Sequence, residues 1–176
     1  MSGEIALDTS VAIRFLNGDP DVVSRVLALP EIFLSVVVAG ELLFGAENST
    51  RPLKNLPRYF EFMEVCTVVP VEKRTAVIYA QTRSALKRKG RPIPMNDVWI
   101  AAHCLEHGWV LVTDDSDFDY NDGYYVLRSP FRIISMRVGA ARRRHRLSPQ
   151  YPTAMPTAVN YATMIQFILH NAHQLR

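Results

Sequence analysis

Short apolar runs alternate with longer amphipathic segments over most of the chain, and this alternation restricts the possible folds most strongly. The strand-like segments are residues 4–8, 32–35, 67–71, 109–113 and 124–127. The segments with helical periodicity are residues 11–16, 21–29, 36–47, 72–89 and 96–107, and a helix is also expected over the stretch from Pro52 to Met63. Strands that alternate with helices predict an α/β sandwich with a mainly parallel sheet.

Local signals at the ends of these segments sharpen the prediction. Thr9 and Ser10 are expected to cap the first helix, and Gly108 is expected to end the helix that begins at Asn96 and Asp97.

Composition excludes several classes of protein. The chain has 176 residues, 48% of them hydrophobic, which suits one compact domain with a modest appendage. Its longest apolar runs are far shorter than the roughly 20 residues that span a bilayer. Glu4 and Asp8 stand where a secretion signal would carry basic residues, so we expect a cytoplasmic protein without a membrane segment.

The charge is distributed unevenly along the chain. Residues 1–127 carry 12 basic and 17 acidic side chains, a net charge of −5, whereas residues 128–176 carry 8 arginines and no acid. The sequence therefore predicts a main domain over residues 1–128 and a basic C-terminal appendage over residues 129–176, whose degree of order the composition leaves open.

The two cysteines, Cys66 and Cys104, lie far apart and form no CxxC pair. We expect both to be buried, reduced thiols.

Four carboxylates stand at positions where active sites of α/β proteins are found. Asp8 and Asp115 follow predicted strands, and Glu41 and Asp97 lie in or at the start of predicted helices. Each has a simpler explanation by itself. Asp8 and Asp97 could cap helices, Glu41 could face solvent, and Asp115 could belong to a solvated acidic loop.

As a group, the four acids would repel one another by several kcal/mol unless a cation neutralised them. Hard oxygen ligands suit Mg²⁺ or Mn²⁺, and such ions suit phosphodiester hydrolysis. Composition by itself does not bring the four side chains together.

The motifs around these acids resemble one family in order and spacing. Asp8-Thr9-Ser10 follows the first strand, and Ser35 stands six residues before Glu41-Leu42. The third and fourth motifs are Pro94-Met95-Asn96-Asp97-Val98-Trp99-Ile100-Ala101-Ala102 and Leu111-Val112-Thr113-Asp114-Asp115-Ser116-Asp117-Phe118. Over residues 4–127 they are similar to those of VapC-type PIN-domain ribonucleases, the toxins of bacterial toxin–antitoxin pairs.

That resemblance implies a PIN-like three-layer sandwich and an Mg²⁺- or Mn²⁺-dependent endoribonuclease that cleaves structured RNA such as tRNA or rRNA. It further implies a cognate antitoxin protein and a homodimer. The implied catalytic, metal-binding acids are Asp8, Glu41, Asp97 and Asp115, and the implied supporting residues are Thr9, Ser10, Asn96 and Thr113. Asp117 is a second acid in the same loop that could reach the metal.

A basic cluster precedes the third acid. It consists of Lys87, Arg88, Lys89 and Arg91. Contact with RNA phosphates and a merely solvated helix end are equally good interpretations of it.

Three alternatives come from other classes. A zinc peptidase is suggested by His103-Cys104-Leu105-Glu106-His107, which matches an H-x-x-E-H pattern. No acid follows Asp122 to act as a third ligand, so surface histidines explain this pattern better. A non-catalytic PIN-fold RNA-binding module is disfavoured because all four acids are present. A nuclease that acts on DNA flaps would need a helical arch, which is not evident.

Overall fold

The computed structural model describes residues 4–115, 124–128 and 132–136. Its strands are β1 (Ile5–Leu7), β2 (Ile32–Ser35), β3 (Thr67–Val69), β4 (Val110–Thr113), β5 (Tyr124–Arg128) and β6 (Arg132–Met136). Its helices are α1 (Thr9–Leu16), α2 (Pro20–Val26), α3 (Val36–Glu47), α4 (Pro52–Glu64), α5 (Lys73–Arg88) and α6 (Met95–His107).

The helix ends follow local chemistry. The Asp19 carboxylate accepts hydrogen bonds from the backbone amides of Asp21 and Val22 and so caps α2, whose first residue is Pro20. Gly108 ends α6 in the left-handed conformation, with φ of 71°, as its position in the sequence predicts. At α1 the cap position is Asp8, so the expectation that Thr9 and Ser10 act as caps is wrong; both lie inside the first turn.

The six strands form one sheet in the order β3-β2-β1-β4-β6-β5. The first four strands are parallel, whereas β6 runs antiparallel to both β4 and β5. The predicted α/β fold with a mainly parallel sheet is therefore confirmed.

The strand β6 is an addition to the elements that the sequence predicts. It lies within the segment that charge assigns to the appendage, yet its backbone pairs with β4 along Val110 to Thr113. The sheet thus continues past residue 128. The strand was not predicted because its residues, Arg132-Ile133-Ile134-Ser135-Met136, do not alternate between apolar and polar with period two.

The order of the strands creates a crevice at one edge of the sheet. The chain passes from β1 to β2 and β3 on one side and then returns to place β4 on the other side of β1. At such a switch point the connections leave β1 and β4 in opposite directions, which opens a crevice at the carboxyl ends of the two strands.

The core fixes the positions of these strand ends. Leu7, Leu34 and Leu111 are fully buried in the three central parallel strands, and Phe62 and Trp109 are buried among the helices and strand ends. Burial of each such side chain contributes about 1.5–3 kcal/mol. Within the described residues, every helix is too short or too polar to span a membrane.

The cysteines are unpaired thiols. Cys104 is buried, as expected, whereas Cys66 is only partly buried. Burial raises the pKa of both thiols, which keeps them protonated and poorly reactive.

Candidate active site

A pocket of about 600 Å³ opens at the crevice between the ends of β1 and β4. It is lined by Asp8, Thr9, Ser10, Val37, Gly40, Glu41, Phe44, Asn96, Asp97 and Asp115. The four acids singled out in the sequence therefore lie in one pocket, although they come from positions as far apart as 8 and 115.

Asp8 is the most deeply placed acid, with 4% of its surface exposed. It follows β1 directly and occupies the cap position of α1, but its side chain makes no capping hydrogen bond. Instead its Oδ2 accepts hydrogen bonds from Ser10 Oγ at 2.8 Å and Thr113 Oγ1 at 2.7 Å. The helix-capping explanation for Asp8 is therefore wrong.

Thr113, the last residue of β4, joins two of the acids. Its buried hydroxyl donates to Asp8 and accepts a hydrogen bond from the backbone amide of Asp115 at 2.9 Å. One hydroxyl thus fixes the acid that follows β1 relative to the acid that follows β4.

Burial raises the pKa of Asp8 above its ordinary value of 3.8, and repulsion from Asp115 acts in the same direction. Hydrogen bonds from Thr113 and Ser10 oppose the shift without cancelling it. Asp8 therefore carries its negative charge at a cost, which a cation in the pocket would relieve.

Glu41 is held by hydrogen bonds from two other elements. Thr9 Oγ1 donates to Glu41 Oε2, and Asn96 Nδ2 donates to Glu41 Oε1 at 2.7 Å. The carboxylate is half-buried in α3, so the explanation of Glu41 as a solvent-facing residue without partners is wrong.

Asp97 and Asp115 complete the acidic lining. Both are half-buried, Asp97 in the first turn of α6 and Asp115 two residues beyond β4. The partial positive charge at the start of α6 favours a carboxylate at Asp97.

The chemistry of the lining fits a hard divalent cation. Among the described residues that line the pocket there are four carboxylates and no histidine or cysteine. Oxygen donors of this kind suit Mg²⁺ or Mn²⁺ better than zinc. The pKa of Asp8 is raised mainly because burial removes water from its carboxylate, and a cation bound there would compensate for that loss.

The other site candidates lie elsewhere. The side chains of Lys87, Arg88, Lys89 and Arg91 are exposed at and just after the end of α5, and these residues are not part of the described pocket lining. Their charge suits the negative end of the α5 dipole. Asp117 lies outside the described residues.

The H-x-x-E-H residues form a compact group, but His103 is already engaged. Its Nδ1 lies 2.7 Å from Ser35 Oγ and its Nε2 lies 3.1 Å from the carbonyl oxygen of Pro70. A carbonyl only accepts, so Nε2 carries the proton and Nδ1 accepts from Ser35. His103 is fully buried, so its interpretation as a surface histidine is wrong, and its role is structural.

Three residues of the pocket were not predicted from the sequence, namely Val37, Gly40 and Phe44. Gly40, Glu41 and Phe44 lie three, four and seven residues after Val37, which is the spacing of residues on one face of a helix. That spacing was visible in the sequence, but apolar residues at helical spacing usually belong to a core.

Comparisons with known proteins agree with this architecture. The family model described as the PIN domain matches residues 5–124. The chain is 28% identical over 133 residues to ribonuclease VapC2 of Haemophilus influenzae, which covers 74% of this chain and 92% of that protein. It is 31% identical over 112 residues to the tRNA(fMet)-specific endonuclease VapC of Shigella flexneri, covering 62% and 85%.

A solved structure shows the same likeness in three dimensions. DNA-bound VapBC from Salmonella typhimurium contains a chain that superposes with a TM-score of 0.64 at 29% identity, covering 68% of this chain and 92% of that one. The likeness thus extends over nearly the whole of the similar chain.

Proposed function

Because the chain belongs to the PIN-domain family, we propose that it is a VapC-type toxin that hydrolyses phosphodiester bonds in RNA with the help of Mg²⁺ or Mn²⁺. The observation that carries the proposal is that Asp8, Glu41, Asp97 and Asp115 line one open pocket. Four carboxylates around solvent, one of them with a raised pKa, are costly for a protein that does not neutralise them.

Some of the pocket side chains would bind the metal ion, and others hold these ligands in position. Asp8, Asp97 and Asp115 present oxygen ligands, and Thr113 fixes the first and last of these relative to each other. Glu41 is kept in place by hydrogen bonds from Thr9 and Asn96 and lines the same pocket.

The bound ion supplies neutralisation of the scissile phosphate and activation of water. Hydrolysis by water is expected to leave 5′-phosphate and 3′-hydroxyl ends, whereas 2′,3′-cyclic phosphate products would contradict this mechanism.

The partners follow from the relatives. Because one relative is named for its action on tRNA(fMet), we take structured RNA, in the first place tRNA, as the substrate class. Because similar chains were solved as VapBC toxin–antitoxin complexes, a cognate antitoxin is the proposed inhibitor. A homodimer is proposed from the family resemblance alone.

The test is cleavage of total RNA by the purified full chain in Mg²⁺, in Mn²⁺ and in EDTA. Discrete fragments that disappear in EDTA and with Asp97→Asn are the expected result. Asp21→Asn is the matched control, because Asp21 is an exposed acid outside the pocket lining. This variant should cleave RNA as the wild type does.

Folded wild-type protein, free of antitoxin, that cleaves no RNA under any of these conditions would contradict the proposal. Such a result would favour a PIN fold that binds RNA without cutting it, and binding of the same RNA would then be measured directly.

A further inference from the structure

An aromatic ring stands in the wall of the acidic pocket. Phe44 lies three residues beyond Glu41 on α3, lines the pocket, and has 71% of its surface exposed. An aromatic side chain buries about 150–250 Å² when it is covered. An exposed aromatic ring in an active-site pocket therefore indicates that a ligand covers the ring when it binds.

The helix face that carries Phe44 has a gap beside the ring. Val37, Gly40, Glu41 and Phe44 all line the pocket from one face of α3. Gly40 has no side chain, and a Cβ placed there would meet no atom of the described residues within 4 Å. The pocket wall is thus open between Val37 and Phe44, next to the Glu41 carboxylate.

The spacing of these features matches a nucleotide. Side chains three residues apart on a helix have Cβ atoms about 5–6 Å apart. A phosphodiester held by a cation at these carboxylates would therefore place the base of an adjoining nucleotide within reach of the Phe44 ring. A nucleobase is flat and has an apolar face, which is the shape and chemistry that the ring and the gap at Gly40 accept.

We propose that Phe44 and the open space at Gly40 form a subsite that stacks an unpaired nucleobase next to the scissile phosphate. The subsite rests on the proposed ribonuclease function and narrows its substrate class to RNA in which that base is free of a partner. A base inside a helix is already stacked on both faces, so it cannot lie against the ring without leaving the stack.

Its place among the acids favours RNA over a protein as the occupant of this ring. Other large apolar side chains are also exposed, among them Leu53 and Phe60 on α4, but they are not part of the pocket lining. Any molecule that enters the acidic pocket contacts Phe44 and the four carboxylates together. The substrate of the proposed reaction must do so, and an inhibitory protein that covers the pocket is the alternative that the test distinguishes.

The test measures binding of a single-stranded oligoribonucleotide that carries the cut sequence found in total RNA, by fluorescence anisotropy at fixed salt in Ca²⁺, which takes oxygen ligands as Mg²⁺ does. The same oligonucleotide, assayed in Mg²⁺, gives KM and kcat. Phe44→Leu removes the aromatic face, Phe44→Trp keeps one, and Gly40→Leu fills the gap. Phe60→Leu is the matched control, because it removes an exposed ring, 53% exposed, outside the pocket lining.

Phe44→Leu is expected to raise Kd and KM roughly 5- to 100-fold, the range that loss of one base–aromatic stack produces, with Phe44→Trp and Phe60→Leu staying within about twofold of wild type. Gly40→Leu should weaken binding as Phe44→Leu does, although leucine is a better helix former than glycine. Annealing a complementary strand over the cut sequence should abolish the difference between wild type and Phe44→Leu.

Wild-type affinity and KM in both Phe44→Leu and Gly40→Leu would overturn the subsite while leaving the nuclease proposal intact. A wild-type protein that neither binds nor cleaves RNA would overturn both. Unchanged RNA affinity together with weaker binding of a protein partner by Phe44→Leu would assign the ring to a protein interface and also overturn the subsite.

Discussion

At the scale of single residues, the site depends on a carboxylate that is buried with hydroxyl partners rather than with a basic residue. Asp8 accepts hydrogen bonds from Ser10 and Thr113, and its pKa stays raised because these donors only partly replace the water that burial removes. An unliganded acid of this kind weakens the fold at neutral pH. It also provides a strong ligand for a cation.

Replacing Asp8 by asparagine separates these two effects. Asp8→Asn should reduce RNA cleavage on the order of 100-fold or more, the scale seen when one preorganised electrostatic contact is lost at a reacting centre. It should also raise the Tm of the metal-free protein at neutral pH, because the buried charge is removed.

The stabilisation by Asp8→Asn has a defined pH dependence. The folded-state pKa of Asp8 is raised, so the wild type carries the unfavourable charge only above that pKa. The difference in Tm between Asp8→Asn and the wild type should therefore be largest at neutral pH and decrease as the pH falls through the raised pKa of Asp8. A Tm difference that stays constant from neutral pH down to about pH 4, near the ordinary Asp pKa, would contradict the account.

Thr113 offers a second test, in which no charge changes. Thr113→Val keeps the shape of the side chain but removes the donor to Asp8 and the acceptor for the amide of Asp115. We expect Mn²⁺ affinity, measured by calorimetry, to fall roughly 10- to 100-fold, as for other residues that orient metal ligands. Thr113→Ser keeps the hydroxyl and should bind nearly as wild type does; equal affinities of the valine and serine variants would exclude the orienting role.

At the scale of secondary-structure elements, the site depends on the pairing of α3 with α6. Glu41 on α3 contacts Asn96 near the start of α6, and Ser35, which caps α3, contacts His103 farther along α6. The two contacts bring the beginning of each helix next to a later part of the other. They therefore set how far Glu41 lies from Asp97.

Breaking the buried contact should affect both the fold and the metal site. His103→Leu leaves Ser35 Oγ and the Pro70 carbonyl without their partner, which should cost about 1–3 kcal/mol in the free energy of unfolding, measured in urea. The folded variant should also bind Mn²⁺ more weakly than the wild type.

The matched variant for this contact is Ser35→Ala, alone and combined with His103→Leu. Because both variants remove the same hydrogen bond, the double variant should lose less stability than the sum of the two single losses. Strictly additive losses would show that the two side chains act independently.

At the scale of the whole molecule, the sheet extends beyond the domain boundary that charge predicts. β6 lies between β4 and β5, so β5 joins the sheet only through a strand that follows it in the chain. We therefore propose that the domain ends after Met136 and that the basic appendage begins beyond it.

Two truncations test this boundary. A chain that ends at residue 136 should unfold at nearly the same temperature as the full chain, because it keeps all six strands that the structure describes. A chain that ends at residue 128 loses β6, leaves the edge of β4 unpaired and detaches β5, so it should unfold earlier or aggregate. Equal Tm values for the two truncated chains would restore the boundary at residue 128.

The sequence alone was sufficient for the parallel part of the fold and for naming the acids. Local signals can be recognised from neighbouring residues in the sequence alone. They include helical periodicity, the glycine at position 108 and the short apolar strands. The acids Asp8 and Asp115 could be placed at one edge of the sheet because the direction of parallel strands puts their ends together.

Only the tertiary structure decided which of these side chains meet and what each of them contacts. Thr9 was expected to cap α1 but donates to Glu41, 32 residues away, and His103 was expected at the surface but is buried against Ser35. Hydrogen bonds between residues distant in the chain depend on how the elements pack, which no local pattern contains. The exposed ring of Phe44 is visible only in the structure for the same reason, since whether an apolar side chain is buried or exposed depends on its neighbours in space.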